Sequence, residues 1–402
     1  MPEADRSRGP KPAIPVTIVT GFLGAGKTSL LNRLVRDPAL AGTGFIINEF
    51  GEIGIDHLLV EAADDGIVEL SSGCLCCTVR GELVTTLENF LRGLDNGRID
   101  TLSRIVIETT GLADPVPVLA TLTAHPYLSL RYAIDGVITV VDAVNGDRTL
   151  DEHMEAIKQV AVADRLVIAK ADLSEGAARL PALRRRLAAL NPGALLVDAA
   201  MAAPADLLGC GLYDPTTKTA DVRRWLNAEA FDDAGEHHHD HDCDGGSCDH
   251  PSHHHDGHHD HHHGHDHGNE ESRHDGISAF SLVSDEALPA GALEMFLELL
   301  RAAHGPKLLR LKGVVKLAED PDRPLVVHAV QELFHPPVRL PAWPDADRRT
   351  RLVFITHDLA EDEVKRLFDA FAGVLAPDTP DRWAMTDNPL ALPGFTPPSR
   401  RG

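Results

Sequence analysis

The sequence predicts an α/β domain with a mainly parallel sheet and helices on both faces, then a disordered His-rich linker and a smaller α+β domain. Three observations predict it. Short apolar runs alternate with amphipathic stretches from about Ile14 to Trp225, as expected of buried strands joined by crossover helices. Between Glu236 and Asp275 the composition turns to His, Asp and Gly with almost no apolar residue, so that tract cannot bury enough surface to fold. At Gly276 an alternating apolar pattern resumes. The expected divisions are 1–12 as a disordered N-terminus, 13–228 as the first domain, 229–275 as the linker, 276–376 as the second domain and 377–402 as a Pro-rich tail.

At 402 residues the chain is too long for one ordinary core. Lys and Arg number 38 against 61 Asp and Glu, a net charge of −23. Such a field repels a nucleic-acid backbone and an anionic membrane, so neither is an expected partner. Met1 to Pro12 is polar, without the apolar core of a signal peptide, and no apolar run is long enough to span a bilayer. A cytoplasmic location is expected, where thiols stay reduced and clustered cysteines point to metal or redox chemistry rather than disulfides.

The first strand, Ile14 to Thr20, runs into Gly21-Phe22-Leu23-Gly24-Ala25-Gly26-Lys27-Thr28, and Ser29 to Val35 reads as a helix start. This is G-x-x-x-x-G-K-[ST] between a strand and a helix, the phosphate-binding P-loop of nucleotide hydrolases. Residues Gly21, Gly24, Ala25, Gly26 and Ser29 would bring backbone N–H groups to phosphate oxygens at a helix N-terminus. Lys27 would reach the β- and γ-phosphates, and the Thr28 hydroxyl would coordinate Mg²⁺.

A second strand, Gly44 to Ile47, leads into Asn48 to Asp56, a loop holding Glu49, Glu52 and Asp56. The loop suits a place near the ligand, and equally a solvated acidic turn. A short strand at Ile67 to Leu70 then precedes Gly73-Cys74-Leu75-Cys76-Cys77, where three of the six cysteines fall within four residues. Thiolates this dense can hold a soft or borderline metal, and three buried thiols in a turn would look the same. From these five residues both readings stand open.

Helical spacing of Leu83, Leu87, Phe90, Leu91 and Leu94 predicts a helix over Glu82 to Leu94. The apolar strand after Ser103 ends at Glu108, where a Walker-B carboxylate would reach the magnesium shell. Gly111 follows, able to approach the γ-phosphate through its backbone N–H. Gly136 to Val141 is a further buried strand closing at Asp142, and Arg165 to Ile168 leads into Ala169-Lys170-Ala171-Asp172. In an [N/T/S]-K-x-D loop the Asp accepts from guanine and the Lys packs over the ring. Lys170 and Asp172 fit, whereas Ala169 departs from the pattern. A helix over Leu180 to Leu190 and a strand over Ala194 to Val197 complete the first domain.

Most of the 23 histidines fall in Glu236 to Asp275, which also holds Cys243 and Cys248. Their imidazoles suit capture of Zn²⁺, Ni²⁺, Co²⁺ or Cu²⁺ beside a role as spacer. The second domain is predicted as a strand at Gly276 to Val283, a helix at Pro289 to Ala303, strands at Leu308 to Leu317, Leu325 to Leu333 and Arg351 to Thr356, and a helix at Glu361 to Phe371. Its histidines, His304, His328, His335 and His357, are read as structural.

With these residues in place, the chain resembles the CobW-type metallochaperone GTPases over both domains. The resemblance rests on GFLGAGKTS at Gly21–Ser29, NEFGEIGID at Asn48–Asp56, SSGCLCCTVR at Ser71–Arg80, ETTGLADP at Glu108–Pro115 and RLKGVV at Arg310–Val315, with the His-rich linker between. It implies a P-loop GTPase that hydrolyses GTP to GDP and phosphate, binds Zn²⁺ or a related metal (Co²⁺ or Ni²⁺) at G-C-x-C-C, and delivers it to a client metalloprotein. The expected roles are Lys27 and Glu108 in hydrolysis, with Gly21, Gly24, Ala25, Gly26, Lys27, Thr28, Ser29, Gly111, Lys170 and Asp172 around the nucleotide. Cys74, Cys76 and Cys77 would hold the metal with Glu49, a His or water as fourth ligand. Expected partners are GTP, a client and a second copy of the chain in a nucleotide-dependent homodimer. A metal store or sensor with regulatory nucleotide, and an ATPase or kinase with structural cysteines, are the rival readings.

Overall fold

A computed structural model describes residues 12–47, 67–69, 78–210 and 276–373. The first domain is built on strands β1 (Ile14–Thr20), β2 (Thr43–Ile47), β3 (Ile67–Glu69), β4 (Arg104–Glu108), β5 (Tyr132–Asp142), β6 (Arg165–Ala169) and β7 (Leu195–Asp198). Among the described residues they form one seven-stranded sheet in the order β3-β2-β4-β1-β5-β6-β7, with every pairing parallel. Ile18 and Val19 are both fully buried although they point to opposite faces, because both faces are covered.

Helix α1 (Lys27–Val35) covers one face through Leu30, Leu31 and Leu34 against Val19, Val140 and Val167. The other face carries α2 (Thr78–Asp95), α3 (Val116–Ala124), the short α4 (Leu128–Arg131), α5 (Gly146–Glu152), α6 (Met154–Ala161) and α7 (Ser174–Leu190). A last turn, α8 (Pro204–Leu207), packs on the α1 side. Helices α3 to α6 are not anticipated by the sequence reading. The first two turns of α7 also lie ahead of its predicted start, because Pro181 reads as a first-turn residue. Pro181 instead sits inside the helix on its exposed side, where water can serve the carbonyl that its missing N–H leaves.

The second domain contains β8 (Ile277–Ser284), α9 (Ala290–His304), β9 (Leu308–Val315), β10 (Leu325–Val330), β11 (Leu333–Phe334), β12 (Val338–Arg339), β13 (Thr350–His357) and α10 (Glu361–Ala372). Its sheet runs β11-β10-β9-β13-β8, with β12 beside β10, and its ladders are antiparallel. Leu293, Phe296 and Leu300 of α9 and Val364 and Phe368 of α10 pack on one sheet face against Leu311, Leu352 and Phe354. The opposite face, with Val314, Val326, Val353 and Ile355, meets Ala161 at the end of α6. The strand expected over Leu325 to Leu333 breaks after Val330. Gln331 adopts φ 51° and the chain returns as β11, pairing Val330 with Leu333.

The two domains meet over a buried charge cluster. Asp164, just before β6, accepts from Arg310 and, at 3.0 Å, from Lys312 of β9. Arg310 also donates to the Val162 carbonyl, and the Val137 N–H donates to Asp164 at 3.0 Å. Burial works against the Asp164 charge, but Arg310 and Lys312 hold its carboxyl well below the usual range. Burial, then the Arg310 charge, pushes the Lys312 ammonium down to about 8. His328 and His335 stack beside this cluster with centroids 4.7 Å apart, and burial lowers both, His335 to about 4.

Candidate functional site: a nucleotide pocket at the ends of the parallel strands

Strand β1 delivers the chain to the loop, and the loop delivers it to α1. Gly26 caps α1 with φ 102° and no side-chain hydrogen bond, a left-handed conformation that glycine enters without penalty. The first turn of α1 carries no acidic residue, so its N–H groups and the positive end of the helix dipole suit an anion. Lys27 is buried and donates to the carbonyls of Gly21 at 2.9 Å and Phe22 at 3.3 Å, which places its ammonium inside the curve of the loop. Thr28 and Ser29 follow in the same turn, half-buried and exposed. The phosphate-loop residues named from the sequence are thus brought together between β1 and the first turn of α1.

Glu108 is buried at the end of β4, paired in register with Val19 of β1. The next residue is locked to that strand, since the Thr109 N–H donates to Val19 O at 2.9 Å and its hydroxyl to Thr20 Oγ1 at 2.8 Å. Gly111 then passes so close to the phosphate loop that a Cβ would lie 2.6 Å from Leu23 N. The Glu108 loop and the phosphate loop are therefore in direct contact.

Lys170 donates to Gly24 O and to Asp142 Oδ2, both at 2.8 Å, tying the loop after β6 to the phosphate loop. It does so with φ 60°, a conformation that costs a residue with a Cβ about 1 kcal/mol. Ala169 is buried with its Cβ facing Gly26. Where a polar residue would stand in the guanine-reading pattern, the link to the phosphate loop is carried by Lys170 alone of this pair. Asp172 is exposed, two residues on.

Three participants carry no role in the sequence reading. Asp142, at the end of β5, also accepts from Val144 N–H at 2.7 Å and Asn145 Nδ2 at 3.1 Å. Partial burial pushes its carboxyl up, but bonds from Lys170, Asn145 and Val144 hold it below the ordinary range. Gln159 of α6 is 1% exposed, and its Nε2 donates to Gly111 O at 3.2 Å and Ala113 O at 3.0 Å. Asp114 accepts from Val116 N–H at 2.9 Å and Gln331 Nε2 at 2.8 Å. The aspartate closing β5 was a visible signal; a helical glutamine gives none. A cavity of about 250 Å³ adjoins this site, between loop residues 22–25 and helices α5 and α6. Phe22 and His153 stack at its edge with centroids 4.4 Å apart.

Of the residues proposed to bind metal, Thr28 is placed as described, whereas Glu49, Cys74, Cys76 and Cys77 lie outside the described residues, as does the tract Glu236 to Asp275. Among the described residues no group of three or more His, Cys, Asp or Glu could hold a metal, and no helix is long and apolar enough to cross a membrane.

Residues 15–198 match the family described as CobW/HypB/UreG, nucleotide-binding domain, and residues 277–372 match the cobalamin synthesis protein cobW C-terminal domain. The zinc chaperone YjiA of Escherichia coli is 31% identical over 361 residues, covering 90% of this chain and 98% of that protein. The zinc chaperone CobW of Sinorhizobium is 34% identical over 260 residues, 57% of this chain and 70% of the relative. The fission yeast (Schizosaccharomyces pombe) zinc-regulated GTPase metalloprotein activator 1 is 37% identical over 192 residues, 46% of this chain and 45% of the relative. The crystal structure of a Zn(II)-bound triple mutant of YjiA GTPase superposes with a TM-score of 0.60 at 26% identity, covering 90% of this chain and 99% of that one. That mutant carries one Glu-to-Ala and two Cys-to-Ala changes and still holds Zn(II). With a phosphate loop, an acid-ended strand beside it and both family domains in order, this chain belongs to the CobW family of P-loop GTPases.

Proposed function

We propose that this protein is a metallochaperone that binds zinc through Cys74, Cys76 and Cys77, passes it to a client metalloprotein, and couples its zinc affinity to the state of the bound nucleotide. The observation that carries the reading is positional. Residues 70–77 join the end of β3 to α2, and β3 runs parallel to β1 in the same sheet. Strand β3 therefore ends, at Glu69, on the side of the sheet where the phosphate loop lies, the end that binds ligands in parallel α/β sheets. Relatives over most of the chain are named zinc chaperones.

Three thiolates with Glu49, a histidine or water would complete a tetrahedral zinc site. Two thiolates with other donors would also serve, and Co²⁺ or Ni²⁺ accept similar ligands. In the nucleotide site, Lys27 would exchange its loop carbonyls for β- and γ-phosphate oxygens, while the first-turn N–H groups of α1 neutralise the remaining charge. The uncapped helix start and the inward Lys27 fit a triphosphate; Thr28 and Glu108 fit a magnesium ion, which would draw charge from the departing phosphate. Asp172 would accept from guanine with Lys170 over the ring. A second copy of the chain, docked in the GTP state, is part of the reading. The His-rich tract would gather metal near the site.

Coupling is reciprocal: if GTP alters zinc affinity, zinc alters GTP affinity by the same factor. The test is a Co²⁺ and Zn²⁺ titration of the full chain with GDP and with a non-hydrolysable GTP analogue, comparing wild type with Cys74, Cys76 and Cys77 changed to Ser. Thiolate-to-cobalt charge-transfer absorption should appear only in the wild type, with affinities at least about fivefold apart between nucleotide states. Optical readout matters because the relative's triple mutant retains Zn(II). Equal affinity in both states refutes the coupling, and unchanged absorption in the Ser variant refutes the site.

A further inference from the structure

The loop from Glu108 to α3 is held by carboxamides from two sides. One is Gln159, inside its own domain, on the carbonyls of Gly111 and Ala113. The other comes from the second domain: Gln331 Nε2 donates to Asp114 Oδ2 at 2.8 Å, across 217 residues of sequence. Asp114 Oδ1 meanwhile accepts Val116 N–H at the start of α3, so Asp114 fixes where the loop ends and the helix begins.

Gln331 is not a chance neighbour. It holds a left-handed backbone, φ 51°, in the two-residue turn between β10 and β11, where Gly or Asn would be the unstrained choice. Strained non-glycine residues persist where the surroundings over-determine them, and they gather at functional contacts. Here Val330 and Leu333, flanking the turn, pack on Leu119 of α3 and Val162. The Gln331 N–H donates to Leu309 O at 3.1 Å, and the Asp164–Arg310–Lys312 cluster pins the neighbouring strand β9 to the first domain.

We propose that Gln331 is a positioning residue for GTP hydrolysis: by holding Asp114 it fixes the Gly111 loop against the phosphate loop, so the C-terminal domain sets the turnover rate of the nucleotide domain. The proposal rests on the reading of Gly111 as a γ-phosphate contact. Displacing a loop by about an ångström is enough to slow a positioned reaction without altering ground-state binding.

The test is steady-state GTP hydrolysis by the full chain in four forms: wild type, Gln331→Glu, Asp114→Asn and the double variant. Gln331→Glu sets two carboxylates against each other, and kcat should fall about fivefold to tenfold. KM and affinity for a non-hydrolysable GTP analogue should stay within twofold, because no nucleotide contact has changed. Asp114→Asn is the single-variant reference for the double: Oδ1 keeps the Val116 N–H, and its Nδ2 faces Gln331, whose amide must turn to accept. The double variant should regain kcat to within twofold of wild type, with Asn Nδ2 donating to the new carboxylate. That rescue separates positioning from general damage.

An unchanged or raised kcat in Gln331→Glu overturns the proposal, as does a double variant as slow as the single. If Gln331→Glu fails to fold, Gln331→Ala replaces it, and a wild-type kcat there is equally fatal. Gly111→Ala isolates the reading beneath, because its Cβ would lie 2.6 Å from Leu23 N. Wild-type turnover in that variant removes the loop from hydrolysis altogether. Slow turnover there beside normal turnover in Gln331→Glu refutes only the part assigned to Gln331.

Discussion

Asp142, Lys170 and Ala169 show how single residues set the nucleotide pocket. Lys170 bonds Gly24 O and Asp142 Oδ2 while holding φ 60°, so its ammonium is fixed before any ligand arrives. A fixed charge loses less entropy on binding than a free side chain. Ala169 presents only a methyl group to Gly26, so in the guanine-reading role proposed for this loop base selection would fall to the exposed Asp172. A carboxylate there accepts two guanine donors, and an asparagine turns one donor against another. Asp172→Asn should therefore weaken GTP binding by about tenfold to a hundredfold, the value of a lost charge-assisted bond. Competition of GTP and ATP for a labelled nucleotide measures it, and unchanged GTP affinity would remove guanine recognition from this residue.

Helix α6 is the element that joins the site to the rest of the molecule. Its Gln159 holds the Gly111 loop, and its own carbonyl accepts from Thr139 Oγ1 of β5 at 2.6 Å. Its last residue, Ala161, meets the second domain. Gln159→Leu keeps much of the volume but leaves two buried carbonyls without this donor, at about 1–3 kcal/mol each. The expected result is a lower denaturation midpoint with an unchanged m-value, together with slower GTP hydrolysis. An equally stable variant would show that the glutamine is not the clamp. The helix was illegible in the sequence because Met154 to Ala161 is short and sits among small residues. The break at Gln331 was illegible too, since β10 and β11 read as one apolar run with no Gly, Asn or Pro between them.

At the scale of the whole molecule, the domain interface makes stability depend on pH. In the unfolded chain His335 takes a proton near its usual 6.5, but in the folded protein only near 4. Between those values the unfolded state binds more protons, so stability falls as pH falls from about 6.5 to 4. His328, lowered in the same direction, adds to the trend. Lys312 works the same way higher up: its folded value of about 8 lies below the ordinary 10.5, so stability rises with pH across that window. Asp164 contributes stability above its unfolded value and loses it only in strong acid. Thermal unfolding should show Tm dropping between pH 7 and 4.5, and His335→Gln should flatten the slope. An identical slope in that variant would assign the acid sensitivity elsewhere.

The sequence by itself determined the class of both domains, the phosphate loop and the strand ending in Glu108. Each of these is written in contiguous residues: a loop that must curl around phosphate needs glycines at fixed spacing, and a buried strand needs an unbroken apolar run. Tertiary structure decided which residues serve that loop. Lys170 meets Asp142 across 28 positions, Gln159 meets Gly111 across 48, and Gln331 meets Asp114 across 217. No local period connects such pairs, because a hydrogen bond depends on distance in space and a parallel sheet brings distant strand ends together. Gly21 to Thr28 could be read as a nucleotide site at first sight; that a glutamine of the other domain bonds Asp114, three residues past Gly111, could be read only from the fold.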